Sequence, residues 1–123
     1  MPMPSKVTIS HVFCLGMVND AYLDKLIQLL LDNQITIMSL ASGRSDFPPL
    51  KKLADAGVAL CTGTDRVRDT WGIYNSVDMF DRVRLLGYRC GLRKDEDVEW
   101  FAGYCATGWR DSHERCRLRS CGR

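Results

Sequence analysis

The sequence contains no apolar run approaching the roughly 18 residues that a membrane-spanning helix needs, so no membrane partner is expected. It carries little net charge, +2 over 123 residues, and that excess is local. Residues 107–123 hold five arginines against Asp111 and Glu114, a net of +3, which leaves the rest of the chain at −1. A nucleic-acid footprint would spread basic residues along a face or a helix, so no nucleic-acid partner is expected either. Six cysteines are present without a single CxxC pair. Cys14, Cys61, Cys90 and Cys105 lie within or beside apolar segments, which predicts buried, reduced thiols and a cytoplasmic protein rather than a disulfide framework. Lys6 ahead of the apolar run Val7 to Met17 imitates a secretion signal, but His11 interrupts that run and no small-residue cleavage site follows. Histidine is scarce: His11 and His113 are the only two, so a three-imidazole metal centre is excluded.

What is there is the material of an ordinary globular domain, 46% hydrophobic and 26% charged. Met1 to Ser5 is short, proline-containing and expected to be loose. Val7-Thr8-Ile9-Ser10-His11 alternates β-branched residues and predicts a first strand that delivers His11 to its carboxyl end. A loop from Val12 to Asn19 follows, with Gly16 marking the turn. From Asp20 to Asn33, Leu23, Leu26, Ile27 and Leu30 recur at helical spacing behind an Asn19 or Asp20 cap. Ile35 to Leu40 reads as a second strand and Ala41 to Phe47 as a polar loop of the kind that carries function. Pro48 and Pro49 open a short helix with Leu50, Leu53 and Ala54 inward, closed by Gly57. Further on, a helix from about Val77 to Tyr88 is expected to turn Met79, Phe80, Val83 and Leu86 to one side, with Gly91 ending it. Another should start after Lys94, acidic in its first turn and apolar through Val98, Phe101, Ala102 and Cys105. Beyond Gly108 only Leu118 is a large aliphatic, so an irregular tail is expected over 107–123.

The chain is organised around Val58 to Trp71. Val58 to Cys61 reads as a buried strand that runs out into Thr62-Gly63-Thr64-Asp65. In parallel sheets and barrels, reactive groups stand just past the carboxyl ends of strands, because the loops converge there over a rigid backbone. Spacing alone leaves Asp65 two readings, a reactive group or a cap for the next segment. Alternating strands and helices imply parallel strands and an α/β fold. Three parallel strands with two open edges make a poor domain, so they are expected to be part of a larger sheet or barrel.

At these residues the chain resembles the carboxyl-terminal part of a cytosine deaminase-like metal-dependent amidohydrolase. The carriers are Ser10-His11, Ser42 to Pro49, Ala56-Gly57-Val58, Cys61-Thr62-Gly63-Thr64-Asp65, Asp69-Thr70-Trp71 and Asp78-Met79. The resemblance implies a partial TIM barrel over residues 1–106, its three strands being the last three staves with their helices. It also implies a divalent metal, zinc or iron, in the full-length family, and a small heterocyclic substrate. It assigns Asp65 as metal ligand and proton-transferring group, His11 as the residue orienting the attacking water, and Trp71 as a ring lining the substrate pocket. Metal-bound water loses its proton near neutrality, and an adjacent carboxylate can carry that proton to the leaving nitrogen. The family's paired histidines have no counterpart here. Arg66 stands where the closest cytosine deaminases have an acidic residue, which argues against cytosine itself.

Two functions follow from these residues. One is a fragment of a C–N hydrolase acting on cyclic amidines, inactive alone; the other is a non-catalytic barrel remnant or interaction module. Among the remaining candidates, Asp69 reads as a turn residue and Cys14 as a buried thiol without a basic partner nearby. His113, Cys116 and Cys121 lack the paired spacing of a zinc site.

Overall fold

The computed structural model describes residues 7–41 and 46–106, and within 100–106 the side chains of Phe101 and Ala102 only. The expectations for Met1 to Ser5, for Ser42 to Ser45, for the Cys105 side chain and for the tail with His113, Cys116 and Cys121 lie outside those residues. The elements run β1 (Thr8–Ser10), α1 (Asp20–Asp32), β2 (Thr36–Ser39), α2 (Leu50–Asp55), β3 (Leu60–Thr62), α3 (Met79–Arg89) and α4 (Asp95–Ala106). The three strands form one sheet in the order β1-β2-β3. Both pairings are parallel, Ile9 lying against Ile37 and Ile37 against Leu60. Each parallel step needs a crossover, and α1 and α2 supply the two. The expected α/β architecture with a parallel sheet is therefore present.

Helix α1 forms where the apolar spacing predicts it. The Asn19 side chain accepts from the Tyr22 amide at 2.9 Å, satisfying a donor that the first turn would otherwise leave open. Leu23, Ile27 and Leu30 fall on one stripe and are buried. The helix ends with Gln34 at φ 52, and the Ile35 amide reaches back to Leu30 O at 2.9 Å. The same exit closes α2, where Gly57 takes φ 94 and the Val58 amide donates to Leu53 O at 3.0 Å. On the outer surface, Lys52 of α2 bridges Asp24 and Asp20 of α1 at 2.8 and 3.0 Å. Hydrogen bonds to those carboxylates hold its ammonium pKa above the usual value.

A single core gathers Leu15, the α1 stripe, Ile37, Leu50, Leu53, Val58 and Leu60, with Leu86 and Phe101 from the last two helices. The central strand β2 is nearly all inside, whereas every residue of β1 is exposed. A side chain at Gly16 would strike the backbone of Phe47, so the turn after β1 lies hard against the approach to α2.

Four expectations need correction. The third strand begins at Leu60 rather than Val58, because the helix exit at Gly57 spends Val58 on a backbone bond to Leu53. The Val12 to Asn19 stretch is not plain loop: Phe13–Gly16 forms a single 3₁₀ turn. Cys14, on that turn, is exposed rather than buried. On α3, Phe80 is 80% exposed while Arg82 is buried, so the stripe facing the core runs through Arg82 and Leu86. Cys14, Cys61 and Cys90 are free thiols, and the latter two are half-buried rather than buried. No helix among the described residues is long and apolar enough to cross a membrane.

Candidate active site at the carboxyl end of the sheet

Because the strands are parallel, their carboxyl ends emerge together, and each is followed by a residue forced into left-handed backbone. His11 follows β1 at φ 69, Ala41 follows β2 at φ 58, and Asp65 follows β3 at φ 62. None is glycine, so each conformation costs on the order of 1 kcal/mol or more that the surrounding structure must supply. Two bonds hold these ends in register. The His11 amide donates to Met38 O at 3.0 Å, extending the β1–β2 ladder by one residue. The Thr62 hydroxyl donates to Ser39 O at 2.6 Å, tying β3 to β2.

The consequence is that His11 and Asp65, 54 positions apart in the chain, meet: His11 Nε2 lies 3.7 Å from Asp65 Oδ1. That separation is an ion-pair contact and too long for a direct hydrogen bond, and an oxygen lying to one side of the pair is within reach of both groups. Both side chains are partly open, 37% and 31% exposed. His11 Nδ1, by contrast, is buried without a partner, and the imidazole leans on Phe13 with ring centroids 5.5 Å apart. On the other oxygen of Asp65, Arg66 Nε lies 3.6 Å from Oδ2. Imidazole, carboxylate and guanidinium thus stand in a row at the sheet's open end.

Trp71 is 84% exposed, and no hydrogen bond, ion pair or ring contact links it to His11 or Asp65. Its amide and that of Gly72 both donate to Asp69 Oδ1 at 2.9 Å, so Asp69 is the turn residue its sequence position suggests. Beneath the site, burial pushes up the pKa of the Cys61 thiol. That keeps the sulfur protonated and a poor nucleophile.

Sequence reasoning missed Arg82. It is 2% exposed, donates from Nη1 to Leu40 O at 3.2 Å and from Nη2 to Ser76 O at 3.5 Å, and so joins the exit of β2 to the segment entering α3. The available signal was an arginine four residues before Leu86 on the same stripe, which an apolar count passes over.

As a metal centre the donors fall short. Among the described residues no three His, Cys, Asp or Glu side chains converge. Asp65 and His11 give at most two ligands, and a guanidinium occupies the far side of the carboxylate. A catalytic zinc needs three protein ligands, so these residues alone do not fit one.

Comparison with known proteins returned no matching family model. The chain is 39% identical over 106 residues to the uncharacterized protein YahJ of Escherichia coli K12, covering 86% of this chain and 23% of that protein. It is 28% identical over 93 residues to the N-isopropylammelide isopropyl amidohydrolase of Pseudomonas sp. strain ADP, covering 76% and 23%. The crystal structure of N-isopropylammelide isopropylaminohydrolase from Burkholderia multivorans superposes with a TM-score of 0.84 at 32% identity, over 91% of this chain and 29% of that one. The 5-methylcytosine deaminase of Klebsiella pneumoniae, solved with 5-fluorocytosine, gives 0.74 at 21% identity, over 83% and 28%, a likeness of fold. The chain therefore spans about a quarter of the length of the curated relatives it matches. The resemblance to an amidohydrolase segment that the residues carry is what these relatives show.

Proposed function

We propose that this amidohydrolase-like segment forms the closing staves of a partial TIM barrel over residues 1–106, with 107–123 an irregular basic tail. Within the complete barrel it would take part in hydrolysis of a C–N bond in a cyclic amidine or related ring, in the cytoplasm, releasing ammonia or an amine. The observation that carries this is the meeting of His11 and Asp65, at 3.7 Å, past the carboxyl ends of two parallel strands. A carboxylate there can take a proton from the attacking water and pass it to the departing nitrogen, while the imidazole orients that water. The oxygen adds to the ring carbon, the C–N bond breaks, and the ring keeps a carbonyl. Trp71, a flat ring on the loop after Asp65, is proposed to cover the bound heterocycle. In the complete barrel Asp65 would also be one ligand of a divalent metal, zinc or iron, that supplies an activated water. Its fellow ligands would come from staves outside this sequence.

The test is direct. The purified 123-residue chain, given zinc or iron(II) and either cytosine or an N-alkylated amino-oxotriazine, should release no ammonia or amine. Exchanged for the matching segment of a full-length relative, it should restore turnover that Asp65→Asn abolishes. A chain that turns over alone, with stoichiometric metal and sensitivity to Asp65→Asn, would overturn its dependence on the missing staves. An exchanged barrel that assembles and binds metal but stays silent would favour a non-catalytic remnant.

A further inference from the structure

We infer that Arg82 is a positioning residue for this site: it tethers the loop that carries Asp65 and Trp71 to the exit of the central strand and so keeps that loop in one arrangement. Its bearing on substrate rests on the hydrolase reading above. The loop, residues 63–75, leaves β3 and returns to the start of α3. Apart from the contact of Asp65 with His11, the hydrogen bonds and ion pairs described inside it are short-range. Asp69 Oδ1 takes the amides of Trp71 and Gly72, and the Asn75 amide donates to Gly72 O at 3.2 Å. Bonds of that kind shape turns without fixing where the loop stands relative to the sheet.

Its two ends are fixed instead, and to consecutive carbonyls of one strand exit. At the near end the Thr62 hydroxyl donates to Ser39 O at 2.6 Å. At the far end the Ser76 hydroxyl accepts from the Asp78 amide at 3.0 Å and the Asp78 carboxylate from the Phe80 amide at 2.9 Å, which makes 76–80 one piece with the first turn of α3. Arg82 on that helix then reaches Leu40 O with Nη1 at 3.2 Å and, more loosely, Ser76 O with Nη2 at 3.5 Å. The Leu40 carbonyl shares a peptide plane with the Ala41 amide, so the same bond holds the entry to the left-handed turn at Ala41.

The cost of this tether separates it from packing. Arg82 is 2% exposed, and no carboxylate among the described residues forms an ion pair with it. Taking an unpaired guanidinium out of water is expensive, and a hydrocarbon of similar volume on the Leu86 stripe would fill the space without that cost. What a hydrocarbon lacks is a planar fork that can hold carbonyls from two different segments. Along the loop, Asp65 lies nearer the Thr62 tie and Trp71 nearer the Arg82 tie. Releasing Arg82 would therefore free the half proposed to cover the substrate and leave the carboxylate in place, weakening affinity ahead of turnover.

Nuclear spin relaxation of the isotope-labelled 123-residue chain gives the first reading. The wild-type amides of 69–75 should have order parameters above about 0.8, and in Arg82→Met these should fall below about 0.6 while those of α1 and β2 hold. Thr62→Val should instead loosen Gly63 to Asp65. Arg82→Lys, which offers a donor but no fork, should fall between the two, and it carries the same readout should Arg82→Met not fold. In the barrel with the exchanged segment, a loop that keeps its place for about a fifth of the time should raise KM about five-fold with kcat held within about two-fold. Loop order unchanged in both Arg82 variants, or a loss spread evenly through α1 and β2, would overturn the tether and leave the hydrolase reading standing. A loosened loop with an unchanged KM would overturn its bearing on substrate alone. A barrel that is silent with Arg82 in place would overturn the hydrolase reading, while loop order in the chain still decides the tether.

Discussion

Residues 7–62 and 63–106 use apolar side chains in opposite ways. In the first stretch Leu23, Ile27, Leu30, Ile37, Leu53 and Val58 are inside, whereas among the described residues only Leu86 and Phe101 of the buried hydrophobics lie beyond residue 62. The second stretch instead displays Trp71, Ile73, Tyr74, Val77, Phe80 and Tyr88 to solvent. Helical or strand periodicity tells which residues could share a face; whether that face is covered depends on a neighbour. α1 has the sheet and α2 to lie against, while much of the apolar surface of α3 and the loop before it has none among the described residues. Exposed apolar side chains in this number mark a surface suited to contact.

The largest effect that could break this contrast is in the core. Ile37→Ala, at a fully buried central-strand position, should lower stability by about 2–4 kcal/mol, and Phe80→Ala by no more than about 0.5 kcal/mol, in urea unfolding. Equal losses would show that the exposed surface of α3 is covered in solution. A smaller effect asks whether the two stretches unfold together. Asn19 caps α1 and Asp78 caps α3, accepting from the Phe80 amide at 2.9 Å. Because Leu86 joins α3 to the common core, Asn19→Ala and Asp78→Ala should each cost about 1 kcal/mol in one shared transition. A loss confined to Asn19→Ala would divide the chain into two units.

The smallest effect concerns the thiols. Burial raises the pKa of Cys61 and Cys90, against a weaker opposing pull from Arg89 on the latter, and Cys14 is exposed. Alkylation followed by peptide mapping should therefore label Cys14 ahead of Cys61 and Cys90 at mildly alkaline pH, with those two catching up only at higher pH. The folded state holds those two protons more tightly than the unfolded chain. Their contribution to stability is thus intact below the ordinary thiol pKa and declines as pH climbs through the raised values. Early labelling of Cys61 would mean that the floor of the site opens.

Much of the frame was legible because its signals are local. The Asn19 cap, the stripe of α1, Gly57 and Gly91 as helix exits, and the alternation of strands with helices are each written within a few residues of where they act. The start of β3 was not, since the bond from Val58 back to Leu53 belongs to the helix exit and shifts the strand by two residues. Nor was the face of α3: the partners of Arg82 include a carbonyl 42 residues away, and no periodicity reports a carbonyl. For the site, strand ends marked His11 and Asp65 as candidates, and a resemblance supplied their roles. That Arg66 flanks the same carboxylate as His11, on its other oxygen, is a matter of side-chain placement that no spacing encodes.

The left-handed residues at the three strand exits set a direction for mutational drift. Glycine at 11, 41 or 65 would relieve the backbone conformations there, so selection for sturdiness alone would pull all three positions towards it. At position 41 that exchange removes only a methyl group. At 11 and 65 it removes the imidazole and the carboxylate themselves, so the change that relieves the backbone also removes the two side chains proposed to act there. A lineage with no chemistry at positions 11 and 65 would drift towards glycine there early, so the residues that relatives carry at these two strand exits would report on use of the site.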